Sequence, residues 1–425
     1  MSGPNNPTPT SPPALSADIA GLLARTAVVV ATHWRRPLDG RWPGANVRHE
    51  DAVLSQEGLM TRFLSSLEGL SDRPRVVIIL VTSTEPGAET AAIWNADRAR
   101  ARFSLPIALW TPIHVRSLHG LLGALGHEEW IRWFDVRGYP QIRNMQLLVP
   151  YLLDCDLVVT LDDDEVVEDP FFLRRAVAGV VHGDSKGDRV WGAAGYYLDE
   201  HGSRMHEVGA AAAADPNPFA RKMALMNGIL NRIDNEPGTI VQAHFALGGN
   251  MTFSRSLIAQ VGFDPAIARG EDVDYVINAA LMGIPYHFDK SRLVRHLPPA
   301  GRSYKDFAYT KLQQDVRRFI YEREKLRVAA ADGGFAPLDA ADLKPYPGDM
   351  LCDDLEQHAI AALRLHRPAA SDGEMLDPEA FVAQACDTGR RSAQAFRHFA
   401  RTWPQALEVL AGDRAVRHVA RTILW

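Results

Sequence analysis

Residues 162–165 read Asp-Asp-Asp-Glu and directly follow the apolar run Leu157-Val158-Val159-Thr160-Leu161. Carboxylates packed this closely repel one another and raise each other's pKa unless positive charge sits between them. A solvated turn is one resolution and a bound cation is the other. Hard ions such as Mg2+ and Mn2+ take carboxylate oxygens and keep positions open for a diphosphate. Asp162 and Asp164 alternate, so in extended backbone they point to one side while Asp163 points away. One can hold the ion directly while the other holds a ribose hydroxyl or a water.

Other residues offer chemistry more softly. Glu271 and Asp272 follow Gly270 at a predicted helix start, where acids also simply complement the macrodipole. His296 comes 24 residues after Asp272, at the end of a short predicted strand. A lone histidine is commonly packing or surface, yet imidazole is an acceptable ligand for Mn2+ beside carboxylates. Gly248-Gly249-Asn250 reads first as a turn.

The elements that must position these groups alternate. Thr26–Trp34, Pro74–Ser83, Ser104–Trp110 and Cys155–Leu161 are β-branched or apolar runs that predict buried strands. Between them, Asp51–Leu70, Glu89–Phe103 and Tyr139–Asp154 predict helices, with Asp51 as the N-cap of the first. Such alternation gives a mostly parallel sheet with helices on both faces. Ligands then sit at the carboxyl ends of the strands, where the aspartates lie. Later, Arg189–Asp199 and Thr239–Ser254 predict strands, with a possible helix over Pro218–Asn231 between them. Pro285–Asp289 and Arg292–Leu297 predict two short strands, and Tyr304–Leu326 a long charged helix. A Gly/Pro-rich connection leads to a helical C-terminal region. The expected division is a disordered tail over 1–22, the α/β domain over 23–330 and the helical region over 331–425.

Composition narrows the class. The 425 residues are 46% hydrophobic with a net charge of −6, so a sizeable core is available and nucleic acid is not an expected partner. Three separated cysteines without metal-ligand spacing predict a reducing compartment. No secretory signal and no span of roughly 18–20 apolar residues is present, so a cytoplasmic location is expected. From Cys386 on, seven arginines stand against three acids. With Phe396, Phe399, Trp403, Leu407 and Leu410 at helical spacing, that end suits a core or homodimer contact, or a peripheral lodging on an anionic membrane.

Four blocks, in order, resemble the GT-A class of nucleotide-sugar glycosyltransferases, nearest to family 2. They are VVVATHWRR at the start, then RNMQLLVPYLLDCDLVVTLDDDEVVEDPFF, then LGGNMTFSRSLIAQVGFDPAIARGEDVDYVINAALMG, and last RLVRHLPP with LQQDVRRF beyond it. Together they run over about residues 26–320. The resemblance implies a Rossmann-like GT-A fold with a C-terminal helical extension. It also implies Mn2+ or Mg2+ as cofactor, a nucleotide diphosphate sugar as donor and a hydroxyl acceptor. By resemblance, Asp162, Asp164 and His296 form the metal site, and Asp272, with Glu271 beside it, supplies the general base. Thr32, His33, Arg143, Asp162, Gly248, Gly249 and Asn250 line the donor. Arg302, Lys305 and Arg317 would neutralise the leaving diphosphate. Where the family often places a base-binding aspartate, this chain reads Val81-Thr82-Ser83-Thr84-Glu85-Pro86, so Thr82, Ser83 or Glu85 would substitute. The Gln-x-x-Arg-Trp of processive members here ends in Arg318. Inversion is favoured by the Glu-Asp pair over a retaining sugar–glycerate type of transfer. A sugar-1-phosphate nucleotidyltransferase lacks its Gly-rich loop here, and an inactive glycan-binding scaffold would not need these acids.

Overall fold

The computed structural model describes residues 11–35, 51–53, 58–82, 89–298, 308–368 and 376–424. Among them ten strands form one sheet. They are β1 (Thr26–Arg35), β2 (Asp51–Val53), β3 (Val76–Thr82), β4 (Ile107–Trp110), β5 (Leu157–Asp162), β6 (Glu165–Val166), β7 (Gly192–Leu198), β8 (Ile240–Gln242), β9 (Met251–Ser254) and β10 (His287–His296). Their order is β4-β3-β1-β5-β9-β7-β10-β6, with β2 beside β1 and β8 beside β10. The pairs β4/β3, β3/β1, β1/β5, β1/β2 and β7/β10 are parallel. β9 runs antiparallel to both β5 and β7, and β6 and β8 run antiparallel to β10.

The period-2 alternation of strands explains why this sheet needs helices on both faces. Val28, Val30, Val77, Ile79 and Val81 feed one apolar core, while Ala27, Val29, Ile78 and Leu80 feed the other. Each such side chain contributes about 1.5–3 kcal/mol on full burial. β3 is buried at every position and β5 at every position before Asp162. The apolar run therefore stops where the chain emerges at the sheet's rim.

The mostly parallel, helix-flanked sheet and the C-terminal helices are the architecture that the GT-A resemblance implies. The helical region is not a separate body. Phe396, Phe399, Trp403, Leu407 and Leu410 of the helix Pro378–Gly412 are buried in the same core that covers one sheet face. The Trp403 indole donates to the Ile258 carbonyl at 2.8 Å. Lys325 of the helix Ala308–Ala330 is fully buried between Asp264 at 2.7 Å and Asp274 at 2.5 Å. The aromatic stripe is thus occupied by packing. Among the described residues no helix is long and apolar enough to cross a membrane.

Several expectations need correction. Residues 17–22 belong to a helix, Ala17–Leu23, capped by Ser16 and anchored by buried Ile19 and Leu23, not to a disordered tail. Asp51 starts strand β2 rather than capping a helix, and the described helix begins at Gly58. Within Thr239–Ser254 only Ile240–Gln242 and Met251–Ser254 are strands. The two short strands after Pro285 are one, β10, with a register shift between Phe288 and Leu293. That irregularity is filled by Arg292. Its buried guanidinium donates to the carbonyls of Ala193 at 2.9 Å and Asn250 at 3.0 Å, and to the Thr252 hydroxyl. The sequence signal broke at Asp289-Lys290-Ser291 because a bulge accommodates polar residues that a regular strand would not.

Candidate active site

The aspartate turn and His296 are brought together by a short ladder. β6 pairs with the end of β10, setting Glu165 opposite His296. The Leu297 N–H also donates to the Asp164 carbonyl at 2.8 Å. With the backbones fixed, His296 Nε2 stands 3.2 Å from Asp164 Oδ2. The Tyr197 ring stacks on the imidazole, centroids 5.7 Å apart. Burial alone would lower the His296 pKa, but the hydrogen bond and charge of Asp164, with Asp162 behind, hold it above the ordinary histidine value. The other Asp164 oxygen, Oδ1, is buried and has no partner among the described residues.

Asp162 faces elsewhere. Arg143, on the helix Tyr139–Leu152, grips it with Nη1 to Oδ1 at 2.9 Å and Nη2 to Oδ2 at 3.3 Å. The Nε of the same guanidinium donates to Glu271 Oε1 at 3.2 Å. Asp162 is therefore not turned onto the Asp164–His296 pair. Among the described residues no three His, Cys, Asp or Glu side chains converge as a ready-made metal cage. The donor set that does form is one carboxylate with an open oxygen and one imidazole. Divalent ions in phosphate-binding sites commonly take one or two protein ligands and complete their shell with substrate phosphates and water, so the residues fit such an ion.

The fourth acid of the turn is not at the surface. Glu165 is fully buried, accepts the Asp162 N–H at 3.0 Å and lies under Gly249. Burial, then the Asp162 charge, push its pKa well above the carboxylate range. Asp163 is also buried.

Glu271 and Asp272 begin the helix Glu271–Leu281 after Gly270, which takes a left-handed φ of 73°. They differ in environment. Glu271 is buried and tied to Arg143; burial raises its pKa against the pull of that arginine. Asp272 is half-buried, and its Oδ1 accepts the Val273 N–H at 2.8 Å. Asp272 is thus the accessible carboxylate of the two. Asp274 faces inward to Lys325, and burial holds its carboxyl up at about 7.

The Gly248-Gly249-Asn250 turn fits between these groups because it lacks Cβ atoms at two positions. A Cβ on Gly248 would stand 2.8 Å from Arg143 Nη2 and 3.4 Å from the Asp272 Cβ. A Cβ on Gly249 would fall 2.1 Å from Glu165 Oε1. Asn250 has a framework role: its buried amide donates to the Tyr196 carbonyl at 3.2 Å and the Arg292 carbonyl at 3.4 Å. Thr32 is buried near the carboxyl end of β1, and its hydroxyl has no partner among the described residues.

The remaining expected residues lie apart or outside. Arg302 and Lys305 fall outside the described residues, as do Ser83, Glu85 and the side chain of His33. Thr82 ends β3 and its hydroxyl donates to the Thr32 carbonyl at 2.9 Å. Arg317 is exposed and lies over the Phe381 ring, 4.7 Å from its centroid, directed at the C-terminal helices. Its neighbour Arg318 is the one turned inward. It lies against Gly270, where an added Cβ would sit 1.8 Å from Nη1, and it feels the Asp272 charge. Sequence reading also passed over Arg62, whose Nη2 donates to the Leu297 carbonyl at 2.5 Å and whose charge opposes protonation of His296. A helix phase places both arginines; Arg62 belongs to no short motif, and Arg318 stands where the Gln-x-x-Arg-Trp pattern carries tryptophan.

No family model and no curated protein matches the chain. Among solved structures it is similar to a mycobacterial protein, at 14% identity and a TM-score of 0.33 over 72% of this chain and 77% of that one. It is also similar to GalNAc-T7 solved with UDP, GalNAc and Mn2+, at 12% identity and a TM-score of 0.36 over 79% of this chain and 56% of that one. The S. aureus TarS structure aligns at 12% identity and a TM-score of 0.36 over 94% of this chain and 55% of that one. The aligned regions thus span little more than half the length of the last two proteins.

Proposed function

We propose that this protein is a metal-dependent glycosyltransferase that moves a sugar, a hexose, from a nucleotide diphosphate sugar to a hydroxyl acceptor with inversion at the anomeric carbon. The observation that carries this reading is the meeting of Asp164 and His296, at 3.2 Å, on the strand-end rim that also bears Arg143 and Asp272. An isolated buried carboxylate oxygen is costly, and the free Oδ1 of Asp164 is one that a cation would satisfy.

In this reading Asp164 and His296 hold Mn2+ or Mg2+, and the bound ion supplies Lewis-acid stabilisation of charge growing on the leaving diphosphate. The chain's own groups do the rest. Arg143, fixed by Asp162 and Glu271, holds the sugar-side wall in register with the turn at Gly248. Asp162 is spoken for by this arginine, so its part is to orient the donor pocket. Arg62 adds positive charge on the diphosphate side. The accessible oxygens of Asp272 take the proton from the acceptor hydroxyl as it attacks opposite the leaving group, which inverts the centre. Glu271 keeps Arg143 in place and does not compete for that proton.

Calorimetric titration of nucleotide diphosphate sugars, with and without Mn2+, tests this. One donor binds only with the metal, and Asp164→Ala abolishes that binding. Binding that ignores the metal, or no binding across the donor panel, overturns the reading in favour of an inactive scaffold.

A further inference from the structure

Tyr197 touches two parts of the candidate site at once. It stands on β7 opposite Val294 of β10, two residues before His296, so the tyrosine and the histidine project from the same face of the sheet. Its ring lies nearly flat on the His296 imidazole, with 5.7 Å between centroids and 16° between planes. Its hydroxyl accepts the Gly249 N–H. A Cβ on Gly249 would collide with that hydroxyl and with Glu165, so the glycine backbone lies directly on the pair. Glu165 in turn accepts the Asp162 N–H at 3.0 Å. One partly exposed side chain therefore joins the histidine, the glycine turn and, through Glu165, the start of the aspartate turn.

Each contact fixes something that the rest of the site leaves loose. Asp164 meets His296 at Nε2, yet an imidazole held at one atom can still rotate about that contact. A stacked ring sets its plane, as the outer partners of metal-binding histidines set theirs. The turn has no side chain at 248 or 249 to anchor it, and glycine backbone is the most permissive of all. With the Gly249 N–H taken by Tyr197, the Gly248 carbonyl faces the opposite way across a trans peptide, away from the tyrosine. Phenylalanine at 197 would stack on the imidazole equally well. Only the hydroxyl orients that peptide.

We propose that Tyr197 is a positioning residue with two separable roles: its ring sets the plane of the imidazole that receives the ion, and its hydroxyl sets the Gly248–Gly249 peptide against which the donor sugar lies. Both roles rest on the transferase reading above. Neither involves contact between Tyr197 and the reacting atoms.

The test compares Tyr197→Phe, which keeps the ring, with Tyr197→Leu, which loses ring and hydroxyl together. The full chain is labelled at histidine, the His296 ring signals are assigned with His296→Asn, and Mn2+ is titrated by calorimetry. Tyr197→Leu should shift the His296 signals and weaken Mn2+ at least tenfold. Tyr197→Phe should leave Mn2+ affinity within twofold. With Mn2+ present, Tyr197→Phe should bind the nucleoside diphosphate within twofold of wild type but its sugar-bearing form at least tenfold more weakly. That split between sugar and diphosphate separates a positioning hydroxyl from a merely structural one, which would weaken both alike. Unmoved His296 signals in Tyr197→Leu overturn the inference. So does equal weakening of Mn2+, nucleoside diphosphate and nucleotide sugar in both variants. A wild type that binds Mn2+ but no nucleotide sugar overturns the transferase reading and the hydroxyl's role with it, while the ring signals and Mn2+ affinities still decide the ring's role. A wild type that binds no Mn2+ overturns both readings.

Discussion

Arg143 and Glu271 stand 3.2 Å apart, and the same guanidinium holds Asp162. One side chain thereby joins the strand-end turn to the helix that presents Asp272. Both carboxylates are largely buried, so removing their shared partner leaves two uncompensated charges. Arg143→Met should cost about 3–5 kcal/mol of stability and abolish donor binding. Arg143→Lys keeps the charge but loses the two-pronged grip, and should recover stability more than binding. Denaturant melts and calorimetry on both variants check this.

The Asp164–His296 pair predicts two pH effects of opposite sign. Its ion pair stabilises the protein only while His296 is protonated. Because the folded pKa is raised, that contribution is full below the ordinary histidine value and is lost as pH rises through the folded one. Metal binding needs the neutral ring, so Mn2+ affinity should fall as pH drops through that same raised pKa. Melts without metal and Mn2+ titrations, compared between wild type and His296→Asn, should show both trends flattened in the variant.

Adjacent arginines should behave differently. Arg317→Ala removes an exposed ring contact worth about 0.5–1 kcal/mol, and should leave kcat/KM within about twofold. Arg318→Met strips the counter-charge from Glu322 and from the neighbourhood of Asp272, and should lower kcat/KM by at least tenfold. Steady-state rates with thermal melts separate lost activity from lost fold.

Lys325 is fully buried between Asp264 and Asp274, and the Tyr321 hydroxyl also donates to Asp264. Lys325→Met should destabilise by about 3–5 kcal/mol because two buried carboxylates lose their cation. The variant Lys325→Met with Asp264→Asn and Asp274→Asn should regain part of that loss in the same melts.

Much of this was legible in the sequence for a local reason. Val76–Thr82 and Leu157–Asp162 are buried on both faces, so composition alone marks them as interior strands, and the aspartates fall where the apolar run ends. The positions of Asp164, Asp272 and His296 on their elements, as distinct from their roles, were legible because each sits at an element boundary that the sequence punctuates. Arg318 could not be told from Arg317, since only the packing of the Ala308–Ala330 helix decides which of two neighbours turns inward. The division of labour within each acidic group was equally hidden. Asp162 is claimed by Arg143 and Glu165 is buried beneath Gly249 through contacts with residues far along the chain, and no short-range pattern reports them.

The indole of Trp403 lies against Gly262, where an added Cβ would sit 2.6 Å from its ring, in the stretch that leads to Gly270 and Asp272. The two positions constrain each other during sequence drift. A bulkier residue at 262 is admissible only after the ring shrinks, and a smaller ring leaves a void that a side chain at 262 could refill. The helix that carries Trp403 is therefore bound to co-evolve with the loop that leads to Asp272, and cannot be exchanged between relatives as an independent module.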